Sequence, residues 1–347
     1  MRLFDHAAKG GGDSGPSPWM RHGPLPPSVT LPRIATIVHY AVTYFYHFVL
    51  EAVPRLALLM PRLAADPTIR LAVPTTKAKL RARSGYVAQL LHLLLPDDFY
   101  ASRLLPYESE GDGKAAPGER AVATAALSWA DWPSAASPDG TDSHCLTPSS
   151  ALRQAAAMVA SAWQARQARG SEAEGVEKAA EGGVEGAEVP GGVLLFAARR
   201  KVTQRNLASR DEEALLAALR EVAEAAGMQL VVFDGSGGVE ASIALWKRAR
   251  LIVGVHGGAL SNLLWSAALN VPSSVLLVEL TVASRIAHHF AHSAMALGMR
   301  YEAVPLVDNG LGVGTVNATL APGSIDTVGR LARAHLQLPS SRTRDEL

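Results

Sequence analysis

The chain has 347 residues, 48% apolar and 19% charged, enough material for buried sheets and enough length for two domains. With 33 basic against 32 acidic side chains and a net charge of +1, it lacks the basic excess of a nucleic-acid binder. A single cysteine, Cys145, excludes an internal disulfide framework.

Met1 to Ser28 is rich in Gly, Pro and Ser and lacks the apolar core of a secretory signal, and residues 1–30 read as a disordered N-terminal segment. Ile34 to Met60 is the longest apolar stretch, but His39, His47, Glu51, Pro54 and Arg55 interrupt it. A spanning helix needs about 20 mostly apolar residues, so this stretch reads as protein interior and no transmembrane segment is expected. A helix is expected over Tyr46–Leu63, bent at Pro54, then a strand over Ile69–Val73 and a helix over Gly85–Leu95. Glu108–Gly118 and Pro133–Asp142 look weakly structured. Thr147-Pro148 has the capping hydroxyl and first-turn proline of a helix start, with the helix reaching about Gln167. Residues 31–169 therefore read as an irregular α/β lobe.

Residues 170–192 are low-complexity Gly/Glu/Ala sequence and read as a flexible linker. The pattern then becomes regular. Strands are expected at Val193–Ala197, Gln229–Phe233, Leu251–Val255, Ser274–Leu280 and Tyr301–Val304. Helices are expected between them at Asp211–Ala226, Val239–Ala249, Ala259–Leu269 and Ala283–Leu297. Strands alternating with helices of this length imply βαβ units and a parallel sheet covered on both faces. This second lobe spans 193–335, followed by a tail over 336–347. The tail ends Arg344-Asp345-Glu346-Leu347, close to the Lys-Asp-Glu-Leu retrieval signal, and Asn317-Ala318-Thr319 is a glycosylation sequon. Both fit the lumen of the endoplasmic reticulum or Golgi.

Three stretches carry candidate chemistry. In Ile252-Val253-Gly254-Val255-His256-Gly257-Gly258-Ala259-Leu260-Ser261-Asn262 a buried strand runs into paired glycines and a helix. Close backbone approach, unpaired amides and the helix dipole suit a phosphate there, with His256 as a further donor. Arg199, Arg200 and Arg205 follow the first strand of the same lobe and would face the same crevice with charged forks. His47 and Glu51 are four apart on one helical face among apolar residues, a pairing suited to a general base on an acceptor hydroxyl. Each stretch also has a plainer reading: a tight βα turn without ligand, an exposed basic loop, and a structural His–Glu bond. His288, His289 and His292 raise a metal site as a rival, but no third ligand of suitable spacing accompanies His288 and His292. A scaffold or membrane-associated protein would instead expose a large apolar face at Thr36 to Met60.

Together these stretches resemble glycosyltransferase family 61, with its plant xylosyl- and arabinosyltransferases and animal O-linked N-acetylglucosaminyltransferases. The resemblance rests on His47-Phe48-Val49-Leu50-Glu51-Ala52-Val53-Pro54-Arg55-Leu56, then Gly254-Val255-His256-Gly257-Gly258-Ala259-Leu260-Ser261-Asn262. Val278-Glu279-Leu280 and Gly298-Met299-Arg300-Tyr301 follow in the family's order. It implies an α/β fold of GT-B type, with two Rossmann-like lobes. It implies an inverting transfer of xylose, arabinose or N-acetylglucosamine from a UDP-sugar to a glycan or glycoprotein, with no metal cofactor. The chain contains no Asp-x-Asp, the motif by which metal-dependent relatives hold the diphosphate's cation. On this reading His47 and Glu51 are catalytic. Arg199, Arg200, Arg205, His256, Gly257, Gly258 and Asn262 bind the donor, and Glu279 holds its ribose. Ser209-Arg210 stands where the family has Asn-Glu, and Gly258 where it has alanine. The first departure keeps open a degenerate member that binds nucleotide sugar or glycan without transfer.

Overall fold

The computed structural model describes residues 29–38, 44–106, 121–129, 135–136, 143–144, 146–177, 192–199, 206–282, 288–307 and 318–339. Arg200, Arg205, Cys145, Asn317 and the terminal Arg344–Leu347 lie outside them.

Two parallel sheets carry the chain. The first holds β1 (Val29–Thr36), β2 (Arg70–Val73), β3 (Leu104–Pro106) and β4 (Ala121–Trp129), in the order β3-β2-β1-β4. A small antiparallel pair, β5 (Ala135–Ala136) and β6 (Ser143–His144), stands apart. The second sheet holds β7 (Val193–Ala197), β8 (Gln229–Phe233), β9 (Ala249–Val255), β10 (Leu276–Val282) and β11 (Arg300–Leu306). Its order is β11-β10-β9-β7-β8, parallel throughout. This is the doubly wound order whose direction of winding reverses between β7 and β9, the place where open α/β sheets take their ligands. The architecture is α/β of GT-B type, with two Rossmann-like sheets.

The helix expected over Tyr46–Leu63 has three parts: α1 (Phe45–His47), a π-helical turn (Phe48–Ala52) and α2 (Val53–Ala65). A π turn stands where a bend was expected. Pro54 has no N–H for the carbonyl four residues back, and its ring crowds that carbonyl, so the helix widens just before it. The carbonyl is Leu50 O, and it accepts instead from the Thr147 hydroxyl at 2.6 Å. The Thr147 hydroxyl therefore bonds across the fold, not to the helix start it was expected to cap. Phe48, Val49, Leu50, Glu51, Ala52, Val53 and Leu56 are all buried, so among the described residues this part of the stretch faces the core and not solvent, against the scaffold reading. No helix among the described residues is long and apolar enough to cross a membrane.

Helices α3 (Lys77–Ala82), α4 (Gly85–Leu94) and α5 (Asp97–Arg103) complete the first half. They are followed by α6 (Ser149–Glu177), which runs past Gln167 into the segment expected to be linker. Residues 178–191 lie outside the described ones. In the second half come α7 (Ser209–Ala225), α8 (Gly238–Trp246), α9 (Leu263–Leu269), α10 (His289–Ala296) and α11 (Ser324–His335). The helix expected to reach Ala249 stops at Trp246, because Ala249 already pairs with Val193. The strand expected from Ser274 starts at Leu276, after a 3-10 turn over Pro272–Ser274.

The core divides at the second sheet. Alternate residues Leu194, Phe196, Leu251, Val253, Leu276 and Val278 pack with Leu215, Leu219 and Val328 of α7 and α11. The opposite face joins the first half in one continuous cluster, where Leu195, Ile252 and Leu277 share neighbours with Phe48, Leu56 and Leu91. Along α6, Leu152, Ala155, Val159 and Trp163 recur at helical spacing into that cluster. Polar ties reinforce it: Arg166 pairs with Glu240 at 2.9 Å, Lys247 lies over Trp163, and Gln89 accepts from the Val239 amide at the start of α8.

Candidate active site

Period-two alternation explains how polar groups reach the interlobe side of the second sheet. Leu195, Ile252 and Leu277 are register partners in the shared core. Two residues further along lie Ala197, Gly254 and Glu279, again in register, with Ala303 beside Glu279. Two further still come Arg199 and His256, past the C-terminal ends of β7 and β9. The face thus passes from apolar residues to a buried carboxylate flanked by small residues, then to charged groups, as it reaches the switch point. A side chain on Gly254 would begin 2.9 Å from Ala197 Cβ, so the strand packs only with glycine there. A side chain on Gly257 would begin 1.9 Å from Arg199 Nη1, because the guanidinium lies directly over the Gly257 backbone.

His256 is fixed from several sides. Its amide donates to Leu280 O at 2.9 Å, and its ring Nδ1 lies 2.5 Å from Glu279 Oε1. The other carboxylate oxygen, Oε2, accepts from the Tyr301 hydroxyl at 2.7 Å. Glu279 is 1% exposed, so a carboxylate in mid-strand survives because both oxygens are hydrogen-bonded. Burial, then the neighbouring Glu279 charge and hydrogen bond, push the Tyr301 hydroxyl well above the usual tyrosine range, which keeps it a donor.

The first half meets this turn through α1. His47 Nδ1 lies 2.9 Å from Glu51 Oε1, the pairing expected from their spacing, and the imidazole is the more exposed of the two. Tyr46 stands edge-on to His47 with ring centroids 4.9 Å apart, and its ring lies 5.3 Å from His289. His289 in turn lies 5.9 Å from His256, with Phe290 edge-on to both Tyr46 and His256. A ladder of rings therefore links the His47–Glu51 pair of one lobe to the His256–Glu279 pair of the other. Tyr46 N is 3.8 Å from where a side chain on Gly258 would begin.

Asn262 is not brought to this edge. It is buried, its amide donates to Ala259 O at 2.7 Å, and its carbonyl oxygen accepts from Trp265 Nε1 at 2.7 Å. The helix expected after the paired glycines is a 3-10 turn, Gly258–Asn262, leading into the short α9. Its dipole is correspondingly small, and the anion-binding potential rests on the backbone amides of Gly257, Gly258 and Ala259. None of the three has a hydrogen-bond partner among the described residues. His292 Nε2 bonds Thr147 O at 2.7 Å. Among the described residues no group of three or more His, Cys, Asp or Glu is placed to hold a metal. Tyr46, Phe290 and Tyr301 were not singled out for roles from sequence, and His289 entered only through the rival metal cluster. Tyr301 left a signal as the last residue of Gly298-Met299-Arg300-Tyr301.

The family model for Glycosyltransferase 61 matches residues 45–271, more than half of the chain. The chain belongs to glycosyltransferase family 61. It is accordingly a glycosyltransferase, acting on a sugar donor and an acceptor. No curated protein matches this glycosyltransferase. The matched span opens at Phe45, beside the His47–Glu51 pair, and covers the His256 turn.

Proposed function

We propose that the enzyme is an inverting, metal-independent transferase that moves xylose, arabinose or N-acetylglucosamine from a UDP-sugar to a hydroxyl of a glycan or glycoprotein. One observation carries this reading: a His–Glu pair from the first lobe and a cationic, amide-rich turn from the second converge on one ladder of rings. Arg199, Arg200, Arg205, His256 and the amides after it supply the positive field that a departing diphosphate needs without a cation. In the first lobe, Glu51 accepts from His47 Nδ1–H and so sets the tautomer in which Nε2 is the basic ring nitrogen. The acceptor oxygen gives its proton to His47 Nε2 and bonds the anomeric carbon from the face opposite UDP. The bond from that carbon to the phosphate oxygen breaks, and its electron pair leaves with UDP. Asn262 serves by holding the turn, and Glu279 by holding His256. The work takes place in the lumen of the endoplasmic reticulum or Golgi.

The test is a UDP-release assay with candidate UDP-sugars and acceptors, in the presence and absence of a chelator. Glu51→Gln should slow transfer by roughly 10–1,000-fold while leaving UDP affinity at the wild-type value. Chelator-sensitive transfer would end the metal-free mechanism. Full activity in Glu51→Gln would remove the assigned base pair.

A further inference from the structure

We propose that Tyr301 and Glu279 are positioning residues for His256, forming a hydrogen-bonded chain across β11 and β10 that presents the imidazole Nε2 to the donor's diphosphate. This rests on the donor-site reading above and gives the buried carboxylate a task within it.

Each of three adjacent strands contributes one member. Tyr301 lies in β11 and Glu279 in β10, while His256 follows directly on β9. The register leaves room for the chain, since Glu279 is flanked by Gly254 on one side and Ala303 on the other. A carboxylate only accepts, so Glu279 Oε1 takes the Nδ1 proton of His256 and Oε2 takes the Tyr301 hydroxyl proton. With Nδ1 engaged, Nε2 is the ring nitrogen left to meet a ligand. Phe290 packs edge-on against the ring, with centroids 5.3 Å apart, and the His256 amide is tied to Leu280 O. A mid-strand glutamate among Leu277, Val278 and Leu280 serves the fold poorly, because an apolar side chain would fill the same space without desolvating a charge. Orientation of a ligand-binding histidine accounts for it, as carboxylate partners do for imidazoles at other sites.

Tyr301→Phe is the decisive variant, since it keeps the ring and removes a single oxygen. UDP is titrated calorimetrically into the full chain as wild type, Tyr301→Phe, His256→Ala and the double variant. Tyr301→Phe should weaken UDP by about threefold to tenfold. In the His256→Ala background the same change should move affinity by less than about twofold, because the residue through which Tyr301 acts is gone. An equal loss in both backgrounds would mean that Tyr301 only supports the fold, and would overturn the proposal. So would wild-type affinity in Tyr301→Phe beside a weakened His256→Ala, an outcome that leaves the donor reading standing. Wild-type affinity in His256→Ala would remove the donor reading itself. A second measurement follows the His256 ring nitrogens by NMR in histidine-labelled protein. The Nδ1–H signal, identified by its loss in His256→Ala, should shift in Tyr301→Phe, and an unmoved signal would also overturn the proposal.

Discussion

Two glycines three residues apart in sequence should respond in opposite ways to the same methyl group. At Gly257 the backbone is extended, at φ 161°, which any residue adopts, so alanine meets no conformational strain. Its Cβ would begin 1.9 Å from Arg199 Nη1 and 2.7 Å from Cζ, against an ordinary contact of 3.4 Å or more. The guanidinium, at the end of a flexible side chain, must retreat by about 1.5 Å, enough to break a hydrogen bond to a ligand. Charge-assisted bonds contribute about 1.5–3 kcal/mol, so Gly257→Ala should weaken UDP by roughly tenfold or more with Tm unchanged or slightly raised. At Gly254 the obstacles are Ala197 Cβ at 2.9 Å, Leu260 Cδ2 at 3.0 Å and Ala197 O at 3.3 Å, none of which can swing away. Overpacking of this kind costs about 1–3 kcal/mol, so Gly254→Ala should lower Tm by roughly 2–10 °C. Thermal unfolding and UDP calorimetry on both variants decide the matter. Equal Tm losses, or unchanged UDP affinity in Gly257→Ala, would show that Arg199 does not sit over Gly257 as a donor-side group.

Thr147→Val is nearly isosteric and removes only the hydroxyl that serves Leu50 O, so a buried carbonyl loses that bond. Stability should fall by about 1–3 kcal/mol, measured by denaturant unfolding, and a change within error would mean that another donor serves Leu50. The Asp66 carboxyl is held down at about 2 by the Thr68 hydroxyl and amide and by Arg33. Its folded value lies below its ordinary one, so it adds stability above the usual carboxylate range that is lost as pH falls toward 2. Unfolding curves from neutral pH to pH 2 should therefore show wild type and Asp66→Asn converging in acid, and a constant gap would refute the assignment.

The regular strands of the second half were legible because alternation and helical spacing are consequences of local covalent geometry. Val193–Ala197 and Gln229–Phe233 appear with the bounds that their apolar runs suggest. The His47–Glu51 contact was legible for the same reason, being a four-residue separation on one helix. β1, β3 and β4 were not foreseen. Neither was the 3-10 character of Gly258–Asn262, where Leu260 N bonds Gly257 O and Asn262 turns inward to Ala259 and Trp265.

By itself the sequence determined the alternation of strands and helices from β7 to β11, the parallel character of the second sheet and the identity of the two histidine-centred motifs. Tertiary structure decided which of those motifs meet. The bond from Thr147 to Leu50 spans 97 residues, and the contacts of Tyr46 with His289 and of Tyr301 with Glu279 join different elements. Such partners depend on which faces pack together and at what register. A period of 3.6 or 2 places a side chain on a face, but only burial of that face against another selects what the side chain touches.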